Sequence, residues 1–138
     1  MQDIPETENA LVLRTDFSDN AAWESICAVI REPVGEFQAY VDFLRDPEYD
    51  GLTPMQLPSL IAQGSFRPFI FLVDRIALSH ADLPILVVDL SNELSQSFRV
   101  IPSQMWSVEN NLSLCNLDFA DFAKSVDPDG IFRGFPER

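Results

Sequence analysis

Two apolar runs only four residues apart constrain this chain more than any other feature. The first opens Phe69-Ile70-Phe71-Leu72-Val73 and continues through Asp74 to Leu78. Its β-branched and aromatic residues predict a long strand over 69–78. The second, Pro84-Ile85-Leu86-Val87-Val88-Asp89-Leu90, predicts a strand over 83–90. The link Ser79-His80-Ala81-Asp82 is too short for a crossover, so the two strands are expected as antiparallel neighbours. Continuous apolar character puts both in the middle of a sheet covered on two faces. With Leu78 opposite Leu83, Ile76 faces Ile85 and Asp74 faces Val87. Asp74 and Asp89 then share one sheet face, and a slip of one residue would separate them.

The rest of the chain supplies neighbours for this pair. Ala10-Leu11-Val12-Leu13-Arg14-Thr15-Asp16 reads as a strand, followed by the capping side chains of Asp16, Ser18 and Asp19. Trp23, Ile26, Cys27 and Ile30 recur at helical spacing until Pro33 and Gly35. Phe37, Ala39, Val41 and Phe43 alternate with Gln38, Tyr40 and Asp42, which predicts a half-buried strand over 37–44. Thr53, Pro54 and Gln56 form a helix start, bent by Pro58. A polar loop at 91–97 leads to a short edge strand at 98–101. One helix comes next, carrying Met105, Val108, Leu112 and Cys115, and then another carrying Phe119 and Phe122. Asp127-Pro128-Asp129-Gly130 is a turn by composition, and the tail after it is apolar enough to pack back. The expected fold is α/β: a single domain over 10–138 with a mixed, mainly five-stranded sheet flanked by about four helices. Residues 1–9 read as a flexible acidic arm. Strand edges at 37–44 and 98–101 allow either a monomer or a homodimer.

Twenty-two acids against nine bases give a net charge of −13. Such a chain repels nucleic acid and anionic membranes, and suits a basic protein partner or a small-molecule ligand. No run is long enough to span a bilayer, and the acidic N-terminus is unlike a signal peptide, so the cytoplasm is the expected location. Cys27 and Cys115 read as buried free thiols. One His and no paired Cys leave no metal-ligand spacing, and no cofactor motif stands in the chain.

The candidate site residues each carry two readings. Asp16 ends a strand and opens a helix, where ligands of α/β proteins gather; it is an acid/base there or a plain helix cap. Asp74 and Asp89 interrupt apolar strands. They form a two-carboxylate site with split proton affinities, fit for acid/base work or a divalent cation, or they pair with Arg14, Arg75 or Arg99 or are simply exposed at strand ends. His80, the single imidazole, is a proton carrier or a solvated turn residue. Glu109, Asn110 and Asn111 sit on an otherwise apolar helix, where they bind a ligand or hold a neighbouring loop. Trp106 lines a pocket or belongs to the core, and Tyr40 and Arg14 are further ligand-facing candidates.

The segments Leu11-Val12-Leu13-Arg14-Thr15-Asp16-Phe17, Pro84 to Leu90, Glu109-Asn110-Asn111-Leu112-Ser113 with Asp118-Phe119, and Asp129-Gly130-Ile131-Phe132-Arg133-Gly134-Phe135 carry a resemblance. They resemble a family of small acidic bacterial and fungal proteins defined as a domain of unknown function. The resemblance spans nearly the whole chain and implies one domain; it brings no activity, cofactor or catalytic residue. Two functions therefore remain. One is a non-catalytic protein-binding module, of inhibitor or immunity-like type, for a basic partner. The other is a cofactor-independent isomerase, cyclase or lyase that uses Asp16, Asp74, Asp89, Glu109 and His80 in an apolar pocket.

Overall fold

The computed structural model describes residues 1–91 and 96–136. The expected polar loop at 91–97 lies largely outside the described residues. Strand β1 (Ala10–Arg14) is followed by helix α1 (Asn20–Arg31), strand β2 (Val41–Leu44), short helix α2 (Leu57–Leu60) and strand β3 (Phe69–Val73). Then come helix α3 (Arg75–Ser79), strands β4 (Ile85–Asp89) and β5 (Ser97–Val100), helices α4 (Met105–Ser113) and α5 (Phe119–Ala123), and strand β6 (Ile131–Phe132). Among the described residues this makes one six-stranded mixed sheet in the order β2-β1-β3-β4-β5-β6, with five α-helices. The mixed α/β architecture is as expected, with one more strand and one more helix.

The sheet is a wall between two apolar layers. Val12, Phe69, Phe71, Val73, Ile85 and Val87 face α1, α4 and α5. Leu11, Leu13, Ile70, Leu72 and Val88 face the other way, against Leu57 and Leu60 of α2, Tyr49, Leu52 and Ile4. Each fully buried side chain of this kind contributes about 1.5–3 kcal/mol. The two crossovers therefore run on opposite faces. The β1-to-β2 connection carries α1 on one side, and the β2-to-β3 connection carries α2 on the other. All three strands are parallel, and the order of the chain reverses at β1.

The hairpin expectation needs correction. The central strands are antiparallel neighbours, but β3 ends at Val73, and the chain continues as α3 rather than as more strand. Asp74 caps that helix: its Oδ1 accepts from the Ala77 amide at 3.0 Å. Ala77 and Leu78 favour helix once a cap starts the turn. The register is Phe71 opposite Val87 and Leu72 opposite Leu86, three residues away from that expected. Asp89 lies opposite Phe69, at the start of β3, whereas Asp74 comes just after its end. The two carboxylates are thus about 16 Å apart along the strand direction, at opposite ends of the pair.

Four smaller corrections concern strand edges and segment ends. Strand β5 is not an edge, because β6 pairs with it in parallel and takes that place. A turn ending at Gly130, whose φ of +83° suits glycine, delivers β6 into position. The second strand is confined to Val41–Leu44, since 34–37 closes as a small turn through Val34 and Phe37. The acidic N-terminal segment is packed down: Ile4 is buried, its amide donates to the Leu60 carbonyl at 2.8 Å, and Tyr49 Oη donates to the Gln2 and Asp3 carbonyls. Cys27 is buried but Cys115 is exposed, because α4 ends at Ser113 and Cys115 turns into the left-handed region at φ +58°.

Candidate functional site

A crevice of about 580 Å³ opens beyond the carboxyl ends of β1 and β3. This is where the strand order reverses, the place at which open α/β sheets receive ligands. Three segments line it: the β1-to-α1 turn with Thr15, Asp16 and Phe17, the loop carrying Asp50 to Pro54, and the start of α3 with Asp74, Arg75 and Ile76. The Gly51 amide donates to the Thr15 carbonyl at 2.8 Å and fixes the second segment against the first. Its volume falls in the range that holds small molecules, roughly 300–1,000 Å³.

The acids in the crevice are engaged. Asp16 Oδ1 accepts from Ser18 Oγ at 2.6 Å and from the Ser18 amide at 2.8 Å. These bonds, with Arg75 and Arg14 nearby, hold its carboxyl below the ordinary value. An Asp16 so held is a carboxylate near neutral pH, able to accept a proton or pair with a cation but not to donate a proton. Asp74 is clamped by Arg99: Nη1 reaches Oδ1 at 3.0 Å and Nη2 reaches Oδ2 at 2.7 Å. Asp50 and Arg75 are exposed at the rim.

The other candidates lie elsewhere. Arg14 is 2 % exposed at the end of β1. Its Nε donates to the Asp16 carbonyl at 2.8 Å and its Nη2 to Asn20 Oδ1 at 2.9 Å, while the guanidinium lies over Phe17. It pins the strand end to the start of α1. His80 is an exposed residue just after α3, and its Nδ1 accepts from the Asp82 amide at 3.0 Å. Asp89 is buried, accepts from the Ser91 amide and Oγ, and lines a separate cavity of about 210 Å³ with Phe66, Leu112, Cys115 and Phe119.

A second constellation gathers at the opposite end of β1, where Tyr40 precedes β2. Glu109, 5 % exposed on α4, accepts from the Tyr40 amide at 2.7 Å, from Ser113 Oγ at 2.7 Å and from Asn110 Nδ2 at 3.1 Å. Asn110 Nδ2 also donates to the Gln38 carbonyl at 3.1 Å. Both side chains hold the loop that leads into β2. Phe37 stacks on Trp106 with ring centroids 4.1 Å apart, and the buried Trp106 Nε1 has no acceptor among the described residues. The Tyr40 side chain itself is exposed.

The five candidate carboxylate and imidazole residues do not converge. Asp16 and Asp74 share the crevice; Asp89, His80 and Glu109 do not line it. Sequence reasoning gave Arg75 only as an ion-pair partner and Phe37 only as a strand residue, and so missed the first at the crevice and the second at the aromatic patch. The position of Arg75 just beyond the carboxyl end of a parallel strand was the available signal for the first of these. Among the described residues, no group of three or more His, Cys, Asp or Glu side chains could hold a metal ion, and no helix is long and apolar enough to cross a membrane.

Fold and site together define a small acidic α/β protein with a mixed sheet and a crevice at its strand-order reversal. More particularly, the chain belongs to the family described as Domain of unknown function (DUF6924), whose model matches residues 9–135. No activity is known for that family, and the match covers nearly the whole chain, as the resemblance in the sequence implied. A search of curated proteins finds no significant match.

Proposed function

We propose that the protein is a non-catalytic binding module, of inhibitor or immunity-like type, whose partner is a basic protein. The observation that carries this reading is how the cations are used. Arg99 is engaged by Asp74, Arg45 by Glu24, Lys124 by Asp121, and Arg133 by Asp82, Asp127 and Asp129. Arg14 is buried, and Arg67 donates to the Pro5 carbonyl. Glu6, Glu8, Asp19, Glu32, Glu36 and Asp46 have no ion-pair partner among the described residues. The molecule therefore presents a negative field with few free cations to compensate it, which speeds encounter with basic partners and excludes acidic ones. Free thiols at Cys27 and Cys115 suit a reducing compartment, and we place the protein in the cytoplasm.

The test is retention of purified basic, neutral and acidic proteins on the immobilised chain at low and high salt. Selective retention of basic proteins, falling steeply between about 50 and 300 mM salt, is expected. Selective retention of neutral or acidic proteins overturns the reading.

The crevice favours a second reading, a cofactor-independent isomerase, cyclase or lyase with Asp16 oriented by Ser18 toward a small substrate. A fragment screen followed by amide shifts tests it. Fragments that shift Thr15, Asp16 and Gly51 and lose affinity in Asp16→Asn support it. Fragments that leave these signals unmoved remove it.

A further inference from the structure

We propose that the docking surface of this protein is the loop at 34–40 together with the outer edge of β2. Its occupant is an extended, arginine-bearing segment of the partner, added to β2 as a further strand. The proposal rests on the binding-module reading above and adds where and how the partner is held.

Strand β2 stands at the end of the sheet order, so among the described residues no strand lies beside its outer N–H and C=O groups. Edge strands are usually protected by lysine, proline or a bulge. Val41-Asp42-Phe43-Leu44 is short and carries one charge, Asp42, but contains no lysine or proline and pairs with β1 without a break in register. The other edge, β6, is two buried residues long and offers far less backbone.

The approach to β2 is both exposed and held. Phe37 is 50 % and Tyr40 62 % exposed. Beneath them, Glu109 grips the Tyr40 amide, Asn110 grips the Gln38 carbonyl, and Trp106 supports the Phe37 ring. A surface held in this way loses little conformational freedom on binding. Exposed aromatic rings on a rigid support are the usual anchors of protein interfaces, and arginine is the side chain that stacks on them best.

Charge selects the occupant. Between residues 31 and 46 there are four acids, Glu32, Glu36, Asp42 and Asp46, and two bases; Arg45 is paired with Glu24, and Arg31 lies over the Phe43 ring at 4.5 Å. A second copy of this chain would bring −13 against −13. A basic strand brings complementary charge, and backbone pairing gives it a register.

The experiment is a titration of the full-length, isotope-labelled chain with two probes, an alternating arginine–valine decapeptide and decalysine, monitored by amide shifts and amide exchange. The expected result with the first peptide is shifts confined to residues 34–44, with slowed exchange within Val41–Leu44. Phe37→Ser/Tyr40→Ser should weaken that binding on the order of tenfold or more while leaving decalysine binding unchanged. Tyr40→Ser alone, at an exposed side chain, is the second variant and should give a smaller loss in the same direction. If the arginine–valine peptide binds but scatters its shifts as decalysine does, or binds both variants as tightly as the parent, the docking surface is wrong and the acidic-module reading stands. If neither peptide binds at low salt, that reading falls as well.

Discussion

Glu109→Ala removes the clamp on which the loop before β2 depends. The lost carboxylate accepts from the Tyr40 amide, Ser113 Oγ and Asn110 Nδ2. A hydrogen bond to a charged acceptor contributes about 1.5–3 kcal/mol. The donors do not count equally. Ser113 is exposed and Asn110 retains the Gln38 carbonyl, so each recovers part of its loss in water or elsewhere. The Tyr40 amide, in a part-buried contact, does not. Removing a buried charge also relieves its desolvation, which offsets part of the loss. The expected net destabilisation is about 3 kcal/mol, and for a chain of 138 residues it lowers the melting temperature by about 10 °C. Glu109→Gln keeps an oxygen for the Tyr40 amide and should lose only about 1 kcal/mol. Urea unfolding gives the stability, and native-state amide exchange at Tyr40 gives the local opening. Were Glu109→Ala to unfold within about 0.5 kcal/mol of the parent, with Tyr40 exchange unchanged, the loop would be held by something other than this carboxylate. The rigid support claimed for the docking surface would go with it.

Three further outcomes are expected. Asp74→Ala should destabilise by about 3 kcal/mol, of which about 1 is the lost cap of α3 and the rest the Arg99 clamp. Asp74→Asn retains the cap and should cost about 1 kcal/mol less; equal urea midpoints for the two variants would deny the cap any role. Alkylation of the native protein should modify Cys115 alone, since burial removes Cys27 from contact with solvent and pushes its thiol up to about 11; a doubly modified native protein contradicts this. The depressed carboxyl of Asp16 stabilises the folded state above its unfolded value near 3.8, and that contribution is lost as pH falls through the lower folded value. Asp16→Asn should therefore lower stability at pH 7 and narrow its gap to the parent below about pH 4, measured by urea unfolding; a gap independent of pH refutes the assignment.

Local pattern was enough for much of the fold. The period of Trp23, Ile26, Cys27 and Ile30 identified α1, and each of these residues is buried. The run Ile85 to Asp89 is β4, and its pairing with β3 is antiparallel as expected, although the expectation rested on a link at 79–82 and the connection runs over 74–84 and contains α3. Pattern failed where one residue decides between two structures. Residues 69–78 are apolar enough for either a strand or a strand followed by a helix. Asp74 settles it through a bond to Ala77 three positions on, a spacing visible in the sequence but weak as a signal. Strand β6 is two residues long, and it exists because β5 lies ready to pair with it, which no local window shows. Ile4 was hidden in the same way: one apolar residue in an acidic segment packs down only because Tyr49, Leu57 and Leu60 leave an apolar face on the far side of the sheet.

The same limit explains why the candidate chemistry dispersed. Elementary electrostatics requires that a carboxylate in an apolar strand be neutralised or turned to water, and this much could be said of Asp74 and Asp89 from the chain alone. Which group does the neutralising is decided by topology. Leu72, Leu86 and Arg99 stand side by side across β3, β4 and β5. Arg99 therefore reaches along that face to Asp74, two residues beyond Leu72, and donates to the Pro84 carbonyl on the way. A register different by three residues would have left Asp74 beside β4 and without that partner. With Asp74 clamped, Asp16 tied to Ser18 and Glu109 tied to the Tyr40 loop, the inward carboxylates are engaged in holding the fold. The acids left to set the outward field lie on the surface. Glu32, Glu36, Asp42 and Asp46 fall in and beside β2, the longer of the two sheet edges and one that no other described strand covers.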